Sequence, residues 1–164
     1  MFTGSYLRSL DSKCRISLPK VIRDAFQAEV IRPAVTATTS SKSTSIDALA
    51  PLTAYLTPGT DGSLDLYDPG EFQRRAEKIQ TSSPASQDGR AFRRLFYAQA
   101  KQVDIDRQGR LRIPAELMEL GKLSDEVMLV GVGDHMEIWN PDQWKAYLAE
   151  KQSQFDEIAE KALG

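Results

Sequence analysis

Asp106-Arg107-Gln108-Gly109-Arg110-Leu111-Arg112-Ile113-Pro114 restates, 95 positions downstream, Asp11-Ser12-Lys13-Cys14-Arg15-Ile16-Ser17-Leu18-Pro19. Asp, Arg and Pro coincide, a basic residue lies inside each Asp-to-Arg interval, and each Arg opens an apolar–polar alternation. An acid that opens a short turn, followed by a period-two alternation closing into proline, predicts a β-hairpin running into a helix. Working outward, residues 5–10 read as the strand entering the first turn and Arg15 to Leu18 as the strand leaving it. Pro19 and Pro114 suit the first turn of a helix, where a missing N–H costs nothing.

A second repeat lies further along. Leu66-Tyr67-Asp68-Pro69 matches Ile138-Trp139-Asn140-Pro141 at a spacing of 72. A duplicated plan whose first copy was expanded accounts for both spacings. The expansion falls at residues 34–50, where Val35-Thr36-Ala37-Thr38-Thr39-Ser40-Ser41-Lys42-Ser43-Thr44-Ser45 has little to bury and reads as a flexible insertion. Thr81-Ser82-Ser83-Pro84-Ala85-Ser86 reads as the linker between halves, giving units at 1–80 and 81–164. Asp68-Pro69 caps and opens a helix carrying Phe72, Ala76 and Ile79. Asn140-Pro141 opens a long final helix with Trp144, Tyr147, Leu148, Phe155, Ile158 and Ala162 along one stripe. Tyr67, Phe72, Trp139 and Trp144 recur as aromatic pairs at matched positions, which suits core or subunit contact.

Bulk properties narrow the function classes. A chain of 164 residues with 41% apolar and 27% charged side chains is that of a soluble globular protein. The opening residues lack the layout of a secretory signal, and no apolar run approaches membrane length, so a cytoplasmic protein without membrane contact is expected. One cysteine, Cys14, and one histidine, His135, leave no disulfide framework and no His-built metal cluster. No catalytic residue, metal or cofactor is expected, and His135 reads as a loop residue after the Gly131-Val132-Gly133-Asp134 turn.

The net charge of −2 conceals an asymmetry. Residues 90–112 hold seven basic against two acidic side chains, a net of +5, whereas residues 116–164 hold eleven acids against four lysines, a net of −7. Positive charge therefore concentrates at the repeated hairpins, and local potential decides what a surface attracts. Asp11 and Asp106 read as turn-shaping acids that accept backbone N–H groups, with Gly109 supplying a positive φ. Arg15 and Arg110, at the turn exits, can clip back onto those acids. Together with Arg8, Lys13, Arg107 and Arg112 they also make a basic cluster on two ribbons. A two-stranded ribbon enters a DNA major groove, where Arg reads guanine and Lys neutralises phosphate. The duplication favours DNA over a merely solvated face. The other reading is an oligomeric scaffold or interaction module whose basic tips bind an acidic partner.

The opening Met-Phe-x-Gly-x-Tyr, the doubled Asp-x-x-x-Arg running into proline, and Gly131-Val132-Gly133-Asp134-His135-Met136-Glu137-Ile138-Trp139 resemble the MraZ family of bacterial transcriptional regulators. The resemblance covers the chain except residues 34–50. It implies an α+β fold of two tandem AbrB-like swapped-hairpin β-barrel halves, related by pseudo-twofold symmetry, with peripheral helices. It also implies a ring-shaped homo-oligomer associated with the nucleoid, binding double-stranded DNA at repeated boxes upstream of division and cell-wall genes. The Asp-x-x-x-Arg residues that match are Asp11, Arg15, Asp106 and Arg110. Cys14 stands where the second copy, and usually the family, has glycine. If both turns follow one course, Cys14 must adopt a left-handed backbone; otherwise the first turn has taken another shape.

Overall fold

The computed structural model describes residues 1–31, 51–81 and 86–164. The insertion expected at 34–50 and residues 82–85 of the expected linker lie outside these. The chain runs β1 (Ser5–Ser9), β2 (Arg15–Ser17), α1 (Lys20–Ile31), β3 (Leu52–Pro58), β4 (Leu64–Tyr67), α2 (Pro69–Thr81) and α3 (Gln87–Gln99). It continues with β5 (Lys101–Ile105), β6 (Arg110–Arg112), α4 (Ala115–Leu120), β7 (Glu126–Gly131), β8 (Met136–Trp139), α5 (Pro141–Gln152) and α6 (Phe155–Leu163). This is the α+β composition that the resemblance implies.

All eight strands join one antiparallel sheet in the order β1-β7-β8-β4-β3-β5-β6-β2. Its two end strands, β1 and β2, come back to adjoin one another, so the sheet is a nearly closed barrel. The halves interleave. β1 pairs with β7 (Leu7↔Met128), β2 pairs with β6 (Ile16↔Leu111), and β4 pairs with β8 (Asp65↔Glu137). The simple hairpin expected over residues 5–18 is therefore corrected. Its turn closes through the Asp11 N–H to the Arg15 carbonyl at 3.0 Å, but β1 and β2 then diverge and pair in the other half. A period-two pattern identifies a strand and says nothing of its partner.

The register exposes the internal symmetry. Ile16↔Leu111 and Asp65↔Glu137 are each a residue paired with its own repeat, so a pseudo-twofold axis passes between both pairs. The hydrogen bonds obey it: the Leu18 N–H reaches the Gly109 carbonyl and the Ile113 N–H reaches the Cys14 carbonyl, each at 2.9 Å. Leu56 in β3 corresponds to Leu129 in β7, a spacing of 73, whereas β4 and β8 correspond at 72. One residue of the expansion thus sits in the β3–β4 turn rather than in the insertion.

Inside the barrel lie Ile16, Ala54, Leu56, Leu64, Leu66, Leu111, Leu129, Met136 and Ile138, all fully buried. Ile22 and Phe26 of α1 and Leu117 of α4 join them. Burying such aliphatic side chains stabilises the fold by roughly 1.5–3 kcal/mol each. The opposite face of β4 and β8 is also covered. Tyr55 and Tyr67 meet Phe72 of α2, and Trp139 meets Trp144 and Tyr147 of α5, so the matched aromatic pairs do pack within the chain.

Asp68 accepts the Glu71 N–H at 2.9 Å, and Asn140 accepts those of Asp142 and Gln143, which caps α2 and α5 where Pro69 and Pro141 open them. The single long C-terminal helix is corrected to two. The Ser153 hydroxyl bonds back to the Glu150 carbonyl and the Gln154 N–H turns to the Lys151 carbonyl, ending α5. Serine competes in this way with its own helix.

Candidate nucleic-acid interface

The two turns are built alike, atom for atom. In the first, Asp11 Oδ1 accepts the N–H groups of Lys13 and Arg15 at 2.9 and 3.0 Å, and Oδ2 accepts Arg15 Nε at 2.7 Å. In the second, Asp106 Oδ1 accepts those of Gln108 and Arg110, each at 2.9 Å, and Oδ2 accepts Arg110 Nε at 2.9 Å. One backbone bond closes the tip in each: Cys14 N–H to the Asp11 carbonyl at 3.0 Å, and Gly109 N–H to the Asp106 carbonyl at 2.8 Å. The residue at the third step from each acid is left-handed, with φ of 56° at Cys14 and 76° at Gly109. Both turns therefore follow one course, and Cys14 adopts the left-handed backbone that this course requires.

Three hydrogen bonds to one carboxylate stabilise its charged form. For Asp11 the Arg15 backbone N–H is the main cause of a pKa below the usual carboxylate value. Slight burial opposes it, and the Arg15 side chain and Lys13 N–H reinforce it. For Asp106 burial is the largest influence and pushes upward. The backbone and side-chain bonds from Arg110 outweigh it, so the net shift is again downward. The acids are fixed anions that hold the arginines. Each clip uses Nε and does not use the two Nη nitrogens of the guanidinium.

Between the turns, β2 and β6 lie side by side. Arg15 stands opposite Arg112 and Ser17 opposite Arg110, while Ile16 and Leu111 point into the core. Arg15, Arg110 and Arg112 thus share the outward face of one two-stranded ribbon, with exposed Lys13 and Arg107 at its two tips. The tips are not identical, because Lys13 aligns with Gln108 and Arg107 with Ser12.

Arg8 behaves differently from the other five. Its Nε donates to the Ser17 carbonyl at 3.2 Å, its Nη1 to the Leu7 carbonyl at 2.8 Å, and its guanidinium lies over the Tyr6 ring. Arg8 bridges the two end strands of the sheet. A further basic residue, Arg23 of α1, was not visible from the motif. It crosses the second turn so closely that a Cβ on Gly109 would meet Arg23 Cδ, Nε and Nη1. Its Nε is buried without a hydrogen-bond partner among the described residues. The contact joins opposite halves, so no local spacing announces it. His135 lies in the loop before β8, as read, and turns its ring inward onto Tyr67, away from the basic turns.

The family model described as "MraZ protein, putative antitoxin-like" matches residues 96–164. The chain is 34% identical to the transcriptional regulator MraZ of Carboxydothermus hydrogenoformans, with 99% of this chain and 97% of that protein aligned. It is also 34% identical to the protein of that name from Thermomicrobium roseum, over 89% of this chain and 86% of the relative. For the one from Pediococcus pentosaceus the identity is 32%, over 99% and 97%. Full-length relatives at this identity, the doubled turn and its symmetry agree, and the chain belongs to the MraZ family.

Proposed function

We propose that the chain is a sequence-specific, DNA-binding transcriptional regulator, not an enzyme, and that the β2–β6 ribbon with its two turns reads the DNA. One observation carries this: two arginines, each held by its own carboxylate, sit on one exposed ribbon about a pseudo-twofold axis. A clipped guanidinium has already lost much of its rotational freedom, so less is lost when it meets a base edge. Arg15 and Arg110 make the base contacts, and Lys13, Arg107 and Arg112 neutralise phosphates. Arg8 supports the ribbon from behind.

A two-residue-wide reading surface has little affinity alone. Several copies in a ring, meeting repeated boxes in phase, multiply it. The apolar side chains Leu148, Phe155, Ile158 and Leu163, exposed on α5 and α6, supply contact area for such assembly. In this reading the protein works in the cytoplasm on the nucleoid, upstream of division and cell-wall genes. Among the described residues no helix is long and apolar enough to cross a membrane.

Fluorescence anisotropy against a duplex from the region upstream of the protein's own gene tests the reading. The expected result is binding that prefers this duplex over a scrambled one. Its log affinity falls with log salt, with a slope of about −0.9 per phosphate contacted. Equal affinity for both duplexes removes the sequence-reading claim. Binding to an acidic protein but to neither duplex supports the interaction module instead.

A further inference from the structure

On the helix-covered face of the sheet, the axis that separates Asp65 from Glu137 passes through a polar cluster unrelated to the basic turns. Direct cross-strand pairing places Asp65 and Glu137 on one face, and Thr57 lies opposite Asp65 on its other side. His135, two residues before Glu137, brings its ring to the same place. We propose that Asp65, His135 and Glu137 form a binding site for a divalent transition-metal cation of the zinc type.

The donor set is one imidazole and two carboxylates, and their ligand atoms all lie within 4.8 Å of one another. Nitrogen–oxygen sets of this kind hold zinc and its neighbours, and three protein ligands leave a position for water or an exogenous group. Each donor is oriented from behind. The Tyr67 hydroxyl donates to Asp65 Oδ2 at 3.0 Å, and Trp139 Nε1 donates to Glu137 Oε2 at 2.8 Å. These two bonds are symmetry mates. His135 Nδ1 lies 2.6 Å from Asp134 Oδ1, which turns Nε2 toward Asp65 Oδ2 at 3.7 Å. A carboxylate behind a histidine is the usual support for a metal-bound imidazole, and it fixes which nitrogen faces the ion.

Two further observations fit an ion at this place. A cavity of about 120 Å³ borders all three donors, roomy enough for an ion with water. Opposite Asp65 in the neighbouring strand, Thr57 Oγ1 is fully buried and has no hydrogen-bond partner among the described residues. A metal-bound water is a partner of the right kind for that hydroxyl. Two carboxylates placed directly opposite also repel, and a dication between them removes the repulsion. Arg74, Arg75 and Lys78 of α2 line the far wall; Arg74 pairs with Glu71. With these cations present, an ion is held by direct coordination rather than by a diffuse negative field. The sequence offers a single histidine, and strand pairing brings the two carboxylates to it.

The test is titration of chelator-treated, full-length protein with zinc chloride by calorimetry, and with cobalt(II) by visible absorption. One ion per chain and a rise in melting temperature with added zinc are expected. His135→Gln and Glu137→Gln should abolish saturable binding; the latter keeps an acceptor for Trp139. Asp134→Asn, at a largely exposed position, should fold and weaken binding by about 10- to 100-fold. Asp134→Asn therefore decides the matter even if the other variants do not fold. Absence of saturable binding to the wild type at millimolar zinc overturns the proposal. So does wild-type affinity in folded Asp134→Asn.

Discussion

The Asp11–Arg15 turn and the Asp106–Arg110 turn share every backbone and clip hydrogen bond, yet they sit in different surroundings. Around the second, β5 and β6 stay paired through Ile105↔Leu111, and Arg23 presses on Gly109. Around the first, β1 and β2 form no ladder, and Arg8 ties them together instead. Arg8 occupies the position that buried Val103 has in the other copy. The comparison teaches that the Asp–Arg clip, not glycine, dictates the turn. Glycine is favoured where the Arg23 side chain crowds the turn.

Gly109→Ala is the sharpest way to break that equivalence. An added Cβ meets the positive φ and requires the flexible end of Arg23 to shift, so stability should fall by about 1–2 kcal/mol. Cys14→Ala keeps the existing Cβ and should change stability by less than about 1 kcal/mol. Urea unfolding of the two variants, with oligomeric state held fixed, compares them. Similar losses in both would mean that Arg23 exerts no pressure on the second turn.

Acid distinguishes the clips from the rest of the fold. Both acids have folded-state pKa values below the ordinary 3.8, so the unfolded chain binds protons first as pH falls. Their stabilisation is complete above the unfolded value and disappears as pH drops through the lower folded values. The double variant Asp11→Asn, Asp106→Asn should be less stable at neutral pH and show a flatter acid limb below about pH 4. Thermal melts across that range, run beside the wild type, read this directly. An unchanged acid limb would assign it to other carboxylates.

Much of this was legible before any coordinate. The doubled Asp-x-x-x-Arg, the prolines and the aromatic pairs are local signals, and local signals survive into the fold. Partnership between strands is not local: β1 with β7 and β2 with β6 follow from how two copies interlock. For the same reason neither the bond from Arg8 to Ser17 nor the approach of Arg23 to Gly109 follows from local spacing. His135 illustrates the limit from the other side, since its inward turn depends on cross-strand neighbours contributed by Asp65 and Tyr67. The break between α5 and α6 was readable in principle, from a serine between two glutamines, but the apolar stripe continued across it.

The smallest expected effect belongs to Cys14→Gly. A left-handed φ of 56° costs a residue with a Cβ roughly 1 kcal/mol, and the added freedom of glycine in the unfolded chain offsets much of the relief. Stability should be equal or slightly higher, by at most about 0.5 kcal/mol. A clear loss in urea unfolding would show that the Cys14 side chain holds the first turn by packing.

The most direct test of the proposed two-turn reading surface is affinity for the duplex from upstream of the protein's own gene, at one fixed salt concentration, for Arg15→Lys, Arg110→Lys and the double variant. Lysine keeps the charge and removes the fork that a base edge requires. Loss of a guanine contact costs about 1–3 kcal/mol, so each single variant should bind roughly 5- to 150-fold more weakly, and the double weaker still. Circular dichroism should show the fold intact. A folded double variant that binds the duplex as tightly as the wild type would contradict the account.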